Sequence, residues 1–419
     1  VTPADHLARA KSAGYDFYVT TDHARPGYER FAPNWRATGR QAKAATTPTF
    51  VAIRGYEHSE NDGPKGHLNV FNPARYLYAD GSRVGLPQFY DWLVEHDYVA
   101  SFNHPMDNRG YHFNHFAHLN RARRAQIALI ETLKKSSDFV PKVIEALDKG
   151  WRVAPCAAHD NHRFTRKRAN DPIVRNPVRT GVLARSLSRR NIIKAMRARR
   201  VYATRDKNLE LSYRVNGAIM GSVLRGPNKL AFDIRANDPN IGRPKDRITR
   251  IQILGEGGRV VRQRKDFDAH KVRWRPTLKK VTQKYYWVHV YTAGDSRPPA
   301  YLAPIWINPC TTKAHCDDND ACTRDSCAAT GVCEHALRQV CITPPPEPAP
   351  EPEPAPEPEP GTDPGVETGT EPDDNGEIAR DEADEVDEVD EADEAALDYN
   401  NETPLDDDAL QTDAARALI

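Results

Sequence analysis

Histidines and carboxylates lie at or just after the ends of several short apolar runs in the first half of the chain. The sequences around them are TTDH, GYEH, NHP and HDNH, and a further histidine lies in GHLNVF. Imidazole and carboxylate groups hold Zn, Mn or Fe in proteins, and one carboxylate can bridge two ions through its two oxygens. A single such residue indicates little, but together they predict a metal centre. Its candidate members are Asp22, His23, Glu57, His67, His104, Asp160 and His162.

Short apolar runs and helical patterns from residue 1 to about residue 205 indicate an α/β fold. The predicted strands are YDFYVTTDH, FVAIRGYEHSE, HLNVFN, YVASFNHP, IALIET and RVAPCAAHDNH, and helical patterns cover 3–14, 86–95, 137–150 and 188–199. We expect mainly parallel strands, because helices lie between several of them. Since the carboxyl ends of parallel strands meet at one edge of a sheet, the metal candidates should lie close together.

Five of these motifs appear in the order and spacing of the PHP family (polymerase and histidinol phosphatase), which the chain resembles over about residues 1–305. They are TTDH at 20–23, GYEH at 55–58, GHLNVF at 66–71, NHP at 103–105 and HDNH at 159–162. Residues 188–222 also resemble the junction between the PHP unit and a β-domain in secreted members. The resemblance implies a distorted (β/α)7 barrel and a metal-dependent phosphoesterase with two or three divalent ions, which would be Zn, Mn or Fe.

The resemblance also implies a role for each candidate. His23 would be a metal ligand, and Glu57 would be the bridging carboxylate at the catalytic centre. His67 and His104 would complete the ligand shell of one ion.

The last motif would close the site, because the resemblance makes Asp160 and His162 both ligands and catalytic residues. Asp22 would either bind metal directly or orient a ligand. His58 and His159 stand beside motif residues, and strand alternation predicts that both point away from the site.

The first motif of the family, a His-x-His at the end of the first strand, has no counterpart in this sequence, which begins after that strand. His6 lies within a helical pattern and is not expected to replace it. We interpret the sequence as N-terminally incomplete, with a signal peptide in the missing segment. The sequence contains no run of about 18 apolar residues, so no transmembrane helix is predicted.

Four further segments are predicted beyond the metallohydrolase domain, which we assign to residues 1–207. Short alternating strands separated by turn residues predict a β-sandwich domain over 208–308. A cysteine-rich disulfide module covers 309–342, and a Pro/Glu-rich linker covers 343–364. Residues 365–419 are too acidic to bury a core, so we expect a disordered tail.

Six of the seven cysteines lie between residues 310 and 341, and no two of them form a Cys-x-x-Cys pair. Zinc modules need such close pairs, so the spacing favours three disulfides of open connectivity. Disulfides require an oxidising compartment, which predicts an extracellular or cell-envelope protein. Cys156, the seventh, is expected to be a buried thiol.

Opposite charges separate along the chain. Residues 342–419 carry 27 acidic and two basic side chains, which leaves 57 basic and 32 acidic side chains in residues 1–341. The basic body could attract a polyanion, but no nucleic-acid-binding motif accompanies it, so we do not expect nucleic acid to be a partner. The acidic tail is expected to contact the basic body or another protein.

These features favour an exported metal-dependent phosphoesterase that hydrolyses a small or polymeric phosphate ester through a metal-bound hydroxide. Two alternatives stay open at this point. The same chemistry would serve a hydrolase of carboxylic esters, carbamate esters or amides. The absence of the first motif also allows a non-catalytic surface binding protein on a PHP scaffold.

Overall fold

A computed structural model describes residues 2–24, 31–60, 66–79, 84–106, 110–135, 137–162, 167, 170–294, 298, 300–318, 320–341 and 416–418. In these ranges the helices are α1 (Pro3–Ser12), α2 (Phe31–Ala45), α3 (Leu86–Glu95), α4 (Phe113–Phe116), α5 (Arg121–Gln126), α6 (Val140–Asp148), α7 (Pro172–Arg175) and α8 (Arg189–Arg197). All four residues of α4 have positive φ, so α4 is a single left-handed turn.

The strands of the first sheet are β1 (Phe17–Ala24), β2 (Val51–Glu60), β3 (Gly66–Phe71), β4 (Val99–Asn103), β5 (Ile127–Lys134), β6 (Ser137–Asp138) and β7 (Ala154–Ala158). Those that follow are β8 (Arg179–Ala184), β9 (Val201–Thr204), β10 (Glu210–Val215), β11 (Ala218–Ile219), β12 (Val223–Arg225), β13 (Leu230–Asn237), β14 (Ile248–Leu254), β15 (Val260–Arg264) and β16 (Lys271–Trp274). The last are β17 (Thr277–Leu278), β18 (Tyr285–Thr292), β19 (Ala300–Leu302), β20 (Ile305–Asn308), β21 (Thr323–Cys327), β22 (Cys333–Leu337) and β23 (Arg416–Leu418).

The first sheet is mixed, with the order β1-β2-β3-β4-β5-β6 and with β7 also paired to β5. Three neighbouring pairs are parallel, β1 with β2, β4 with β5 and β5 with β7, whereas β3 is antiparallel to both β2 and β4. Strands β1, β2, β4, β5 and β7 thus run in one direction, which agrees with the prediction of mainly parallel strands, and β3 is the exception among the six predicted strands. Only five residues separate β2 from β3, which is too short for the crossover that a parallel pair needs.

The remaining strands build two further large sheets. One has the order β11-β10-β13-β16, with β17 beside β13, and the other has the order β12-β20-β18-β19-β9-β8-β23, with β14 and β15 extending from β18. Strands β8 and β9 precede residue 208, so the second of these sheets crosses the predicted boundary at residue 207. The predicted domain ranges remain predictions. The strands of this sheet come from both sides of residues 207–208, so backbone hydrogen bonds join the two predicted domains.

Strand β18 is buried on both faces and links two hydrophobic cores. Tyr286, Val288 and Val290 pack into a core with residues of the five-stranded sheet, which is the packing expected of a sandwich. Tyr285 and Trp287, which point the other way, belong to a core with residues from the first sheet. Side chains alternate along a strand, so one strand supplies both cores.

The cysteines and the tail also take positions in this fold. Cys310 bonds to Cys327 and Cys316 bonds to Cys333, and Cys322 and Cys341 are disulfide-bonded as well, which confirms the three expected disulfides. Cys156 is a buried free thiol, as predicted.

Strand β23 pairs with β8, so three residues of the predicted disordered tail are ordered, because β8 offers them a free edge. No helix in the described ranges is long and apolar enough to cross a membrane.

We expect a shortened chain that ends at residue 207 to lose cooperative unfolding. It would leave β9 without its partner β19 and would expose the faces that β18 covers. Thermal unfolding followed by circular dichroism should show a sharp transition for residues 1–341 and a broad one for residues 1–207. A sharp transition for the shorter chain would contradict this expectation.

Candidate metal centre

Strand register brings the predicted residues of the first three strands together. His23 lies directly opposite Glu57 across the parallel pair β1 and β2, and Ser59 lies opposite His67 across β2 and β3. His67 in turn lies opposite Asn103 of β4. Since side chains two residues apart share a face, these residues line one face of the sheet.

The Glu57 carboxylate lies at the centre of this group and is 5% exposed. Its Oε2 is 3.1 Å from His23 Nδ1, and its Oε1 is 3.1 Å from His67 Nδ1. Asn103 donates a hydrogen bond of 3.2 Å to Oε1, and His104 Nε2 lies 3.8 Å from the same atom. Burial acts to raise the pKa of Glu57, but the His67 hydrogen bond and the charges of the neighbouring histidines outweigh it and hold this pKa below its usual value.

His104 is held by a carboxylate that the sequence analysis did not single out. Its backbone N–H donates to Glu131 Oε2 at 2.8 Å, and its ring Nδ1 lies 3.2 Å from the same oxygen. The other ring nitrogen, Nε2, lies 3.2 Å from His67 Nδ1. Glu131 therefore fixes the imidazole so that Nε2 faces Glu57 and His67, as carboxylates do for metal-binding histidines.

Asp160 and His162 reach the same region from the residues after β7. Asp160 forms an ion pair with Lys134, and its Oδ1 lies 3.3 Å from His162 Nδ1. His162 Nε2 lies 3.3 Å from His23 Nε2, and the two rings stack. Desolvation acts to raise the pKa of Asp160, but the hydrogen bond and charge of Lys134 outweigh it and lower this pKa.

Two of the predicted ligands have strained backbones. His104 has a φ of 31° and Asp160 a φ of 46°, a region that non-glycine residues adopt rarely. Both residues lie immediately beyond or near the end of a strand, where the chain turns away from the sheet. Such strain persists only where surrounding contacts enforce it, and it concentrates at functional sites.

Three further sequence candidates have clear positions. Asp22 lines the cavity beside the centre, as His6 does from α1, but Asp22 forms no hydrogen bond to any described residue. His58 points to the opposite face, where its ring stacks on Phe89 at 3.6 Å, and burial lowers its pKa to about 3. His159 bonds through Nε2 to the Tyr15 hydroxyl at 2.8 Å. His58 thus points away from Glu57, as strand alternation predicted, whereas His159 lines the cavity beside the centre.

Sequence reasoning missed four residues that contact the centre: Ser59, Asn103, Glu131 and Lys134. Glu131 had the clearest signal, because IALIET is a buried run that carries a carboxylate. The Ser59 hydroxyl lies 2.6 Å from His23 Nδ1, and it had no signal beyond its place two residues after Glu57.

The residues present fit a divalent metal ion. His23, Glu57 and His67 each offer a ligand atom, and these atoms lie within 4.8 Å of one another. Glu131 is 1% exposed, yet its Oε1 has no hydrogen-bond partner among the described residues. A buried carboxylate oxygen without a partner is costly, and a metal ion would satisfy it. The donor set of imidazole and carboxylate suits Zn, Mn or Fe.

A cavity of about 400 Å³ opens beside these groups. All the proposed ligands except His67 line it, together with Tyr15, Arg179 and Thr180. The Arg179 guanidinium stacks over the Tyr15 ring at 4.0 Å, and Arg179 is 4% exposed. Its Nη1 donates hydrogen bonds to the backbone oxygens of Asn176 and Val178, and no carboxylate forms an ion pair with it in the described part of the chain, so a buried positive charge lies in the cavity wall.

Replacement of Glu57 should empty the centre. We expect Glu57→Gln to lower the bound metal, measured by plasma mass spectrometry after purification with zinc and manganese, to less than a tenth of that in the unmodified chain. The amide has the same shape, but it cannot supply the charge that neutralises the ions. His115→Ala changes a histidine that is 58% exposed and lies outside the centre, so it is the matched control and should keep its metal.

Replacement of Glu131 should weaken the centre without emptying it. Partners that orient a ligand typically contribute 10–100-fold to metal affinity, so we expect a loss of about that size in Glu131→Gln. Competition with a chromogenic chelator would measure it. An unchanged affinity would show that the His104 ring does not need Glu131.

Comparison with known proteins gives distant similarity to solved structures. No protein-family model matches the chain, and no curated protein matches it. Among solved structures, it is similar to the crystal structure of a two-domain protein from Bacteroides vulgatus that contains a predicted PHP-like metal-dependent phosphoesterase. The two are 14% identical with a TM-score of 0.39, over 73% of this chain and 90% of that chain. At this level the similarity assigns no residue a role, so the candidate centre is defined by its own geometry.

Proposed function

We propose that this chain is an exported metal-dependent phosphoesterase with a PHP-type centre on a distorted (β/α)7 barrel. The observation that carries the proposal is the group formed by His23, Glu57 and His67, whose ligand atoms lie within 4.8 Å of one another beside a cavity. A buried carboxylate destabilises the folded state unless its charge is paired or binds a metal ion. The common direction of β1, β2, β4, β5 and β7 in the sheet that positions the group supports the fold part of the proposal.

Seven residues would hold two or three divalent ions, which would be Zn, Mn or Fe. Glu57 would bridge, because its two oxygens face different histidines. The others are His23, His67, His104, Glu131, Asp160 and His162, with Asp22 available from the cavity wall.

When bound, such ions lower the pKa of a water molecule and neutralise the charge on a phosphoryl group. The chain itself supplies orientation. Glu131 orients the His104 ring, and Ser59 contacts Nδ1 of His23. Asp160 Oδ1 lies 3.3 Å from His162 Nδ1 and would orient the His162 ring toward the ions.

The charge on the cavity wall favours an anionic substrate. Arg179 is buried without a carboxylate partner among the described residues, and its guanidinium can grip phosphate oxygens in bidentate fashion. A carboxylic ester or an amide presents no such anion. This difference supports a phosphate ester over the alternative substrates.

The disulfides support export to an oxidising compartment, because three of them lie in one short module. The acidic tail would then contact the basic body or another protein.

Hydrolysis of chromogenic substrates tests the proposed function. With manganese or zinc present, we expect release of nitrophenol from a nitrophenyl phosphate mono- or diester, and at least 100-fold slower release from a nitrophenyl acetate. Asp160→Asn should lower kcat by about 100-fold, as loss of a proton-transfer or ligand group does. Arg179→Lys should mainly raise KM for the phosphate ester.

Two results would contradict the proposal. Faster cleavage of the acetate than of both phosphate esters would identify a hydrolase of another ester class. A metal-loaded chain that cleaves none of the three would favour a binding protein. His115→Ala serves again as the control that should keep full activity.

A further inference from the structure

Three aspartates whose sequence positions follow those of the metal-centre residues lie close together. Asp206 follows β9, Asp238 follows β13, and Asp246 precedes β14. Each offers a carboxylate oxygen, and these atoms lie within 4.8 Å of one another. We refer to Asp206, Asp238 and Asp246 as the aspartate triad. Proximity of carboxylates alone is common on protein surfaces and would not indicate a ligand.

Burial distinguishes this group from a surface cluster. Asp238 is 1% exposed and Asp246 is 8% exposed. Oδ1 of Asp238 accepts a hydrogen bond from the backbone N–H of Asn240 at 2.8 Å, whereas its Oδ2 is buried and has no hydrogen-bond partner among the described residues. Oδ2 of Asp246 is likewise buried and has no hydrogen-bond partner among the described residues. Two buried carboxylate oxygens thus lack the partners that such groups normally require.

No member of the triad forms an ion pair within the described ranges. The charges of Arg179 and Lys207 act on Asp206 and that of His270 acts on Asp238, but the Lys207 ammonium bonds to the backbone oxygen of Val174 at 2.9 Å. His270 accepts a hydrogen bond from the Asp238 backbone N–H through its own backbone oxygen, but its two ring nitrogens form no hydrogen bond to described residues. Burial, with a smaller effect from the charges of Asp206 and Asp246, raises the pKa of Asp238, and the Asn240 hydrogen bond and the charge of His270 offset this only in part.

We propose that the aspartate triad binds a calcium ion. A hard divalent cation with oxygen ligands neutralises the carboxylates and occupies both unpartnered oxygens. Asp206 is already held for this, because its Oδ1 accepts hydrogen bonds from the backbone N–H groups of Asn208 and Leu209. Extracellular modules bind calcium at about 10⁻⁴–10⁻³ M, which suits a disulfide-bonded protein.

The ion would tie together the two sheets of the sandwich. Asp238 extends from the five-stranded sheet, whereas Asp206 and Asp246 adjoin strands β9 and β14 of the other sheet. Asp206 and Asp238 are 32 positions apart in the sequence, and Asp238 and Asp246 are eight apart. The ion would therefore cross-link segments that are distant in the chain. Its role is structural and independent of the proposed hydrolysis.

Calcium titration of the full chain tests the proposal. After removal of calcium with EGTA, we expect calcium at 100 times its dissociation constant to raise the midpoint of thermal unfolding by about 4 °C. Equilibrium dialysis with ⁴⁵Ca should show one bound ion that is lost in the double variant Asp238→Asn, Asp246→Asn. In EGTA the double variant should unfold at the same temperature as the unmodified chain or higher, because the substitutions remove like charges.

Matched variants separate this site from others. Asp268→Asn changes an exposed aspartate in the same domain and should keep the calcium shift. Glu57→Gln should keep it as well, which distinguishes the triad from the metal centre. The single variant Asp246→Asn replaces the double variant if the latter does not fold.

Three results would overturn the proposal. The unmodified chain could show no shift at 10 mM calcium, or the double variant could keep the full shift. The shift could also disappear in Asp318→Asn, which would place the ion at the cluster of Asp318, Asp325 and His335 in the cysteine module.

Discussion

The burial of the Glu57 carboxylate is the constraint on which the candidate centre depends. An ionised carboxylate that is only 5% exposed must be neutralised and hydrogen-bonded, or the folded state is destabilised. Imidazoles from three different strands or strand ends meet this need, since His23, His67 and His104 all lie within 3.8 Å of its oxygens. The candidate centre therefore requires the observed pairing register of β1 through β4, because a slip by one residue would turn the side chains of the slipped strand to the other face.

The same constraint extends outward to a second layer of contacts. Glu131 holds the backbone and the ring of His104, and Lys134 holds Asp160. Both come from β5, the strand that pairs with β4 on one side and with β7 on the other. The strained φ values of His104 and Asp160 occur where β5 neighbours end, and the contacts from β5 hold both residues in place.

Sequence reasoning found the histidines and carboxylates that interrupt apolar runs, but not most of the residues whose contacts with the centre depend on strand pairing. TTDH, GYEH and HDNH mark places where a polar group interrupts an apolar run, so His23, Glu57 and Asp160 could be named from the sequence. Asn103 and Ser59 contact the centre only because of strand pairing, which a single sequence does not reveal. The helices α3 and α8 were predicted within two residues at each end from their apolar periodicity. The apolar pattern of β3 does not indicate its direction, which follows from the five residues between β2 and β3 that are too few for a crossover.

The double burial of β18 limits how the molecule can move. A strand whose two faces belong to two different cores cannot slide or tilt against either one without opening both. For the described residues we therefore expect the sandwich and the sheet that carries the candidate centre to move as one body, without a hinge between β9 and β10. Access to the cavity beside Glu57 would then change through side chains around its rim, and an inhibitor that wedges two lobes apart would find no cleft between these described elements.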